Sequence, residues 1–444
     1  MTNILHRHSK IKLPRVASGE GPYLFDSNGK QYLDACGGAA VSCLGHSNQV
    51  VKDAIKKQID AIPFAHTSFF TSEVAEQLAD KLIQDAPPNM GKVYFVTGGS
   101  EANESALKLA RQYFVEKGEP RRKYFIAREQ SYHGNTIMTL AIGGNEWRKE
   151  TFRDILPTAH LIPPCYAYRH QAEDETEEEY GLRAANELEK KIIDLGAENV
   201  IGFIAEPVVG ATAGAVPPVS GYFKRIREIC DQYGVLLIAD EIMCGTGRCG
   251  TRFTCAQEGI EPDIITIAKG LGAGYQPIGA VLLSQKINQV IASGSGFFQH
   301  GHTYLAHPSV CAAALAVQQE IDDHNLLDNV KLQGGILINA LRDHFGEHPH
   351  VGDIRGRGLF IGVEFVEDKA SKTPFPPEFT LNTHIKKAAM DAGLMIYPSN
   401  GTIDGRHGHH ALIAPSFIIQ QQHIDELIEK FGIALSTALK QRDA

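Results

Sequence analysis

Short runs of continuously apolar residues recur through the middle of the chain, and they restrict the possible folds more than any other feature. The clearest runs are VYFV, YFIA, VIGFIA, VLLIA, IITIA and GAVLL. Several are followed by a turn or a loop and then by residues with helical periodicity. Strands that are apolar throughout are buried on both faces, which is typical of a mostly parallel sheet covered by helices. The sequence therefore predicts an α/β fold with such a sheet at its centre.

The pattern changes after residue 325, where short strands and helices alternate as in an α+β layer. Near the N-terminus, GPYLFDSNGKQYLDACGG predicts a β-hairpin around an Asn-Gly turn. We expect an N-terminal segment of residues 1–70 that belongs to a small domain, a large domain of residues 71–325, and a C-terminal α+β small domain of residues 326–444. Helical periodicity predicts helices at residues 48–61, 72–85, 222–233, 326–345 and 382–392, with a last helix from His423.

The composition argues against several classes of function. The 444 residues carry a formal net charge of −9, so we expect no surface for nucleic acid. No apolar run is long enough to cross a membrane and the N-terminus has no apolar signal core, so we expect a cytoplasmic protein. The eight cysteines show no CxxC spacing, and we expect free thiols and no metal site. We expect His407, His409 and His410 in a solvated loop.

Three polar residues stand at the ends of apolar runs, where ligands bind in open α/β sheets. Glu206 ends VIGFIAE, Asp240 ends VLLIAD and Lys269 ends IITIAK. The turn TGGS, residues 97–100, follows another apolar run and opens a helical pattern. The backbone N–H groups at such a helix start can bind an anion.

Lys269 has fewer structural explanations than the others, because a buried ammonium tends to lose its proton. A neutral amine attacks carbonyl groups and forms a Schiff base. A phosphate site, a buried carboxylate and a buried amine together indicate pyridoxal 5'-phosphate, with the carboxylate on the ring nitrogen. Taken alone, the glycine turn could be a simple helix start with Ser100 as its cap, and Asp240 could form an ion pair with Arg248 or Arg252.

In this order the motifs resemble those of the class III pyridoxal-phosphate-dependent aminotransferases over nearly the whole chain. The matching blocks are GGSEANESALKLAR, SYHGNT, AEPVVGATAGAVPPVSGYFKRIREICDQYGVLLIADEIMCGTGRCG, PDIITIAKGLGAGYQPIGAV, HGHTYLAHP and IRGRGLFIGVEF. The resemblance implies the PLP-dependent transferase fold of type I, in which a large domain with a mostly parallel sheet carries a small α+β domain. It also implies pyridoxal 5'-phosphate as cofactor and a homodimer, possibly a tetramer, with shared active sites.

The resemblance also implies a catalytic role for two residues. Lys269 would form the Schiff base, and Asp240 would hold the pyridine nitrogen. Ile242 and Tyr132 would pack on opposite faces of the ring, and His133 of the same YHG motif would be a further cofactor contact.

Four more residues would bind the cofactor by the same resemblance. Gly99 and Ser100 would bind its phosphate, and Glu206 would lie near the ring oxygen and the substrate. Thr303 of the HTY motif would reach the phosphate of the neighbouring subunit, so the active site would need a dimer.

The substrate side departs from the amine and ω-amino-acid relatives. Ala40 stands where many of them carry a bulky residue, often tryptophan, and would leave a roomier pocket. Many relatives have an arginine-proline pair where this chain has Tyr397-Pro398, followed by an insertion at residues 399–410. Arg406 of the insertion is predicted to bind the carboxylate of a keto acid, with an exposed loop arginine as the alternative. Met243, where some members have glutamine, argues against strict ornithine or 4-aminobutyrate specificity.

The predicted activity is ping-pong transfer of an amino group from an amine or an ω- or β-amino acid to a keto acid, with pyruvate as the expected acceptor. A racemase, a decarboxylase or an aminomutase of the same fold remains an alternative. The segment GTGRCG, residues 245–250, also matches GxGxxG and would suggest an NAD-dependent oxidoreductase. We interpret it as a loop, because no helix pattern starts within its glycines.

Overall fold

The computed structural model describes residues 3–442, which form three β-sheets and the helices around them. The strands are β1 (Val16–Glu20), β2 (Tyr23–Asp26), β3 (Gln31–Asp34), β4 (Met90–Val96), β5 (Tyr124–Arg128), β6 (His160–Ile162), β7 (Val200–Ala205), β8 (Leu236–Asp240), β9 (Ile264–Ile267), β10 (Gly279–Ser284), β11 (Val351–Arg357), β12 (Phe360–Phe365), β13 (Leu394–Met395), β14 (Tyr397–Asn400) and β15 (His409–Ile413). The α-helices are α1 (Gly37–Ala40), α2 (Gln49–Ala61), α3 (Glu73–Asp85), α4 (Gly99–Glu116), α5 (Ile137–Ile142), α6 (Glu146–Lys149), α7 (Ala167–His170), α8 (Glu177–Leu195), α9 (Tyr222–Tyr233), α10 (Gln285–Ser293), α11 (Pro308–Asp323), α12 (Leu326–Phe345), α13 (Leu381–Asp391) and α14 (Gln421–Leu439).

The central sheet has seven strands in the order β4-β10-β9-β8-β7-β5-β6. Strand β10 is antiparallel to both of its neighbours, and the other neighbouring strands pair in parallel. The predicted mostly parallel sheet is therefore confirmed. The reversed direction of β10 was not predicted; it follows from the short segment 268–278 between β9 and β10, which is too short for a helical crossover.

The central strands are apolar throughout because the sheet is packed on both faces. Successive side chains of a strand point to opposite faces. One buried apolar cluster contains Phe203, Leu237 and Ile265. The neighbouring residues Ile204, Ile238 and Ile264 belong to a second cluster. This burial fixes the sheet and therefore the positions of the residues that follow its strands.

Two four-stranded sheets form the rest of the fold. One has the order β1-β2-β3-β13, in which β3 and β13 are parallel, so N-terminal and C-terminal segments share a sheet. The other has the antiparallel order β11-β12-β15-β14. The division of the chain at residues 70 and 325 stays a prediction.

Most predicted elements agree with the structure. The hairpin around the Asn-Gly turn is β2 and β3, the helices predicted at 222–233 and 326–345 coincide with α9 and α12, and the others differ by one or two residues at their ends. The GTGRCG segment is a loop that leads into a 3-10 turn at Thr254–Glu258, as interpreted above. Across residues 3–442, the structure contains no helix with the length and apolar character that a bilayer crossing requires.

The prediction of a solvated loop is wrong for two of the three clustered histidines. His407 is exposed, but His409 and His410 are buried in β15. The ring of His410 contacts Thr402 Oγ1 through Nδ1 at 2.7 Å and the Ala211 carbonyl through Nε2 at 3.2 Å. Burial lowers the pKa of His410 to about 3, so the ring is neutral. The inserted loop is thus held at its end by a packed histidine.

Glu364 of β12 is a fully buried carboxylate between two arginines. It accepts hydrogen bonds from Arg169 Nε at 2.8 Å and from the hydroxyl of Tyr166, and it forms an ion pair with Arg355 Nη1 at 2.7 Å. Removing one partner from a buried ion pair leaves uncompensated charge, which costs about 3–5 kcal/mol. We expect Glu364→Gln to lower the free energy of unfolding by about 3 kcal/mol, measured by urea denaturation.

The matched control is Glu367→Gln, which breaks the partly exposed ion pair with Arg442 at 2.6 Å. Exposed pairs contribute only about 0–1 kcal/mol, so this variant should unfold close to the wild type. Equal stability of the two variants would show that the buried cluster does not hold β12 as described.

Candidate active site

The polar residues predicted at strand ends come together at one edge of the central sheet. Glu206 directly follows β7, Asp240 is the last residue of β8, and Lys269 lies just beyond the end of β9. Because β7, β8 and β9 are parallel, these three residues lie at the same edge. They line one cavity of about 440 Å³ together with the turn at residues 97–100.

The start of α4 offers free backbone donors to this cavity. Its N-cap residue, Gly98, has no side chain to accept a hydrogen bond from the first turn. The first N–H groups of a helix have no intrahelical acceptor, and an 18-residue helix adds a positive dipole end. The hydroxyl of Ser100 accepts from the N–H of Asn135 at 3.1 Å, so Ser100 does not cap the helix. This helix start can bind an anion such as a phosphate.

The two glycines beside the helix start are required by close packing. A Cβ at Gly99 would lie 2.9 Å from the side chain of Ile242. Gly134 has φ +139°, and a Cβ there would lie 2.7 Å from Ser100 Oγ. Larger residues at these positions would push Ile242 or Ser100 out of place.

Asp240 is buried and is held by residues from three other elements. Its Oδ2 accepts from Asn103 Nδ2 at 2.7 Å and lies 2.7 Å from His133 Nδ1, and its Oδ1 accepts from the Ile242 N–H at 3.1 Å. Nε2 of His133 is buried without a hydrogen-bond partner among the described residues. A buried carboxylate with fixed orientation can pair with a protonated ring nitrogen.

The alternative ion pairs proposed for Asp240 are wrong. Arg248 donates to the Leu359 carbonyl at 3.1 Å, and Arg252 donates to Gln318 Oε1 at 2.7 Å. Both arginines therefore bond to groups other than Asp240, which leaves its charge available to the cavity.

Lys269 opens a 3-10 turn, Lys269–Leu271, in a left-handed conformation with φ +45°. A non-glycine residue in this region carries about 1–3 kcal/mol of strain, which is typical of functional sites. Burial lowers the pKa of Lys269 below its ordinary value, although the charges of Asp240 and Glu206 oppose the shift. Its amine therefore loses a proton more readily than an exposed lysine, which makes it a better nucleophile.

Glu206 lines the cavity and is held there by two backbone N–H groups. It accepts from the N–H groups of Tyr132 at 3.0 Å and Gly210 at 2.8 Å. Burial raises the pKa of Glu206, and His133 and these backbone hydrogen bonds counter the shift. Tyr132 and Ile242 both line the cavity, and Ile242 lies against Gly99 at the helix start, so these two side chains can hold a flat ring by contact.

Of the remaining predicted site residues, one is buried next to the cavity and two are exposed outside it. Ala40 is buried in an apolar cluster with Met243, and the next residue, Val41, lines the cavity. Arg406 is 62% exposed, pairs with Glu150 at 3.1 Å and does not line the cavity. Thr303 is exposed on the surface and is also outside the cavity of its own chain.

Asn103 is the site residue that the sequence reasoning missed. It is fully buried on α4, donates to Asp240 and to the His133 carbonyl at 2.7 Å, and accepts from Thr266 Oγ1 at 2.7 Å. The sequence does contain a signal for this residue, because its amide stands among the small apolar residues Ala102 and Ala106 of the same helix. A buried amide needs hydrogen-bond partners, which would have marked Asn103 as a site residue.

Comparison with known proteins gives consistent matches. The family model described as aminotransferase class-III matches residues 5–435. An uncharacterised aminotransferase of Schizosaccharomyces pombe is 44% identical over 96% of this chain and 93% of its own. Gamma aminobutyrate transaminase 2 of Solanum lycopersicum is 38% identical over 96% of this chain and 92% of its own. The crystal structure of the omega transaminase from Pseudomonas jessenii in complex with PMP superposes with a TM-score of 0.92 at 33% identity, covering 98% of this chain and 97% of that one.

Proposed function

The chain belongs to the class III aminotransferases, and from this premise we propose that it moves an amino group from an amine or an ω- or β-amino acid to a keto acid in ping-pong order, with pyruvate as acceptor. The observation that carries the proposal is the meeting of Lys269, Asp240 and the uncapped start of α4 in one cavity. An amine, a buried carboxylate and an anion site are the three groups that a pyridoxal-phosphate transaminase needs.

The residues of the cavity fit pyridoxal 5'-phosphate by charge and by shape. The helix start and Ser100 would hold its phosphate, Asp240 its ring nitrogen, and Tyr132 and Ile242 its ring. When bound, this cofactor supplies an aldehyde that takes up the amino group and a ring that withdraws electrons from the reacting carbon. The related Pseudomonas jessenii transaminase was solved with PMP, which supports the choice of cofactor.

Lys269 is the cavity residue suited to moving a proton. Because burial lowers its pKa, a larger share of its Nζ is unprotonated near neutral pH than for an exposed lysine. An unprotonated Nζ can take a proton from the substrate carbon and return it after the bonds rearrange, first as base and then as acid. The left-handed turn at Lys269 fixes where this side chain enters the cavity.

Asp240 acts through its fixed charge. Asn103 and His133 share one of its oxygens, and the Ile242 N–H holds the other, so the carboxylate cannot rotate freely. A fixed carboxylate keeps a ring nitrogen protonated without the cost of reorienting solvent.

On the substrate side, Ala40 and Met243 support a donor wider than a simple ω-amino acid. Met243 lines the cavity, and Ala40 is buried in the same apolar cluster next to Val41, where a bulky side chain at position 40 would take up space. Arg406 remains a predicted ligand for the keto-acid carboxylate, and in this role it would have to exchange Glu150 for the substrate.

We further propose a homodimer in which Thr303 of each subunit reaches the phosphate of the other. Thr303 lies next to Tyr304, which is 58% exposed and packs on Phe64 with ring centroids 5.8 Å apart. Phe69 and Phe70 nearby are 79% and 69% exposed. Clustered exposed aromatic residues mark interaction surfaces, and a tetramer would add a second interface to this one. A cytoplasmic location agrees with eight cysteines that are all free thiols.

The test is to load the protein with pyridoxal phosphate and follow the cofactor spectrum while single donors are added. We expect an amine or an ω- or β-amino acid to discharge the absorbance of the aldehyde form, and pyruvate, added after the donor is removed, to restore it. A racemase or a decarboxylase would return to the starting spectrum without any keto acid. The proposal is wrong if β-amino acids, ω-amino acids, diamines and bulky amines all leave the spectrum unchanged.

A further inference from the structure

One of the four cations at the α6 segment and the inserted loop has no carboxylate partner, although the other three are paired. Lys149 and Arg153 contact Glu146 at 3.3 and 2.6 Å, and Arg406 contacts Glu150 at 3.1 Å. The remaining cation, Arg148, has no hydrogen bond or ion pair from its guanidinium to any residue between 3 and 442.

Arg148 lies against the candidate active site. Its guanidinium carbon is 4.7 Å from the centroid of the Tyr132 ring, and Tyr132 lines the cavity. Arg148 is half-buried, and its charge adds to the lowering of the pKa of Lys269, so the guanidinium acts on the reacting amine through space. The charge of Arg7 also acts on Tyr132. Two cations, Arg148 and Arg7, therefore act on the Tyr132 side of the cavity, where the charge of Asp240 opposes them.

The inserted loop holds the α6 segment in this position. Gln130 donates to the Gly401 carbonyl of the loop at 2.7 Å and accepts from Asn145, the residue before α6, at 3.5 Å. The Arg406–Glu150 pair joins the loop to the residue that follows α6. Arg406 is thus already neutralised by a carboxylate, whereas Arg148 is not.

We propose that Arg148, which lies behind the Tyr132 wall of the cavity and not among its lining residues, binds the carboxylate group of the substrate. This inference rests on the proposed function. A half-buried guanidinium without a counter-ion gains a charge-assisted, two-pronged contact when a carboxylate arrives, while the Tyr132 ring keeps its plane in place. A hydrogen bond to a charged group of this kind changes affinity by about 10–100-fold.

The first experiment measures binding rather than turnover. Propionate, which carries no amino or keto group, is titrated calorimetrically into the loaded wild type, Arg148→Ala and Arg153→Ala, with propanamide as the uncharged probe. We expect Arg148→Ala to weaken propionate binding about 10–100-fold and to leave propanamide unchanged. Arg153→Ala removes a cation of the same segment that is 61% exposed and paired, and should bind propionate like the wild type.

The second experiment separates the donor from the acceptor as the source of the carboxylate. Kinetics with β-alanine or propylamine as donor, and with pyruvate or propanal as acceptor, give four combinations. Arg148→Ala should raise the KM of the carboxylate-bearing partner about 10–100-fold, with kcat and the KM of the uncharged partner within about twofold. The arm in which KM rises identifies whether donor or acceptor contacts Arg148.

Two results would overturn the inference. One is unchanged propionate affinity in Arg148→Ala, and a loss in Arg406→Ala instead would assign the contact to Arg406. The other is an equal loss for charged and uncharged substrates, which would mean that Arg148 only supports the Tyr132 ring. By contrast, if no donor reacts while propionate binding still depends on Arg148, the proposed function fails and the carboxylate site stands.

Discussion

Replacing Lys269 with alanine should reduce transamination by at least about 10⁴-fold, the upper range for loss of a single proton-transfer group. Its Nζ is a buried amine in the cavity, and burial lowers its pKa. A water molecule in its place would have neither the basicity nor the fixed position of this amine. The variant should still bind pyridoxal phosphate, because the start of α4 and Asp240 are unchanged. Turnover is measured with the best donor from the spectral screen, and cofactor binding by equilibrium dialysis.

A second measurement on the wild type locates the attachment directly. Borohydride reduction of the loaded protein, followed by digestion and mass spectrometry, should leave a pyridoxyl group on the peptide that contains Lys269. The control variant is Lys286→Ala, whose side chain is 60% exposed and lies 3.6 Å from Asp263. It should react and label as the wild type does. A pyridoxyl group on another lysine, or wild-type turnover in Lys269→Ala, would remove Lys269 from the mechanism.

The position of the site was predictable because it follows from strand direction alone. Apolar runs predict buried parallel strands, and parallel strands present their carboxyl ends on one edge. Glu206, Asp240 and Lys269 each end such a run and therefore meet without any knowledge of side-chain packing. Helix limits such as Leu326–Phe345 were predictable for a related reason, since they depend on local periodicity.

The partners of these residues were not predictable, because they come from distant segments. Arg248 and Arg252 are near Asp240 in sequence but point elsewhere, whereas Asn103 and His133 reach it from α4 and from the loop after β5. Sequence distance carries little information about such contacts. The direction of the Asp240 carboxylate is set by the fold, and only the structure shows it.

The structure of the inserted loop was also only partly predictable from the sequence. The composition of this loop, an arginine with three histidines, predicts exposure to solvent. Arg406 is exposed, as in the alternative interpretation of an exposed loop arginine. His410 is buried because every residue of β15 is buried, and no local signal marks that strand within SNGTIDGRHGHH. The unpaired guanidinium of Arg148 depends on which cations the carboxylates of both segments contact, and only the folded chain brings these groups together.

Asp240→Asn should lower the rate of the donor half-reaction by about 10²–10³-fold, as expected when a fixed charge next to the reacting group is lost. The substitution keeps the volume of the side chain but removes its charge. Its amide oxygen can stay at the Oδ2 position, where Asn103 and His133 lie at 2.7 Å. Its NH₂ group then faces the Ile242 N–H, which donates to Oδ1 at 3.1 Å in the wild type. These two N–H donors would repel each other, so the side chain would be displaced as well as uncharged.

The effect is separable from stability and from cofactor attachment. Asp263→Asn is the matched control, because Asp263 is also a buried aspartate of the central sheet but precedes β9, at the opposite edge from the cavity. It accepts from the Leu237 N–H at 2.9 Å and pairs with Arg227 at 2.9 Å, so its loss should lower the melting temperature and leave the half-reaction rate within about twofold. Asp240→Asn should still yield the pyridoxyl-labelled Lys269 peptide after borohydride, since the amine is intact. A half-reaction in Asp240→Asn as fast as in Asp263→Asn would mean that the ring nitrogen needs no carboxylate here, and the reading of this cavity as an electron-withdrawing cofactor site would be wrong.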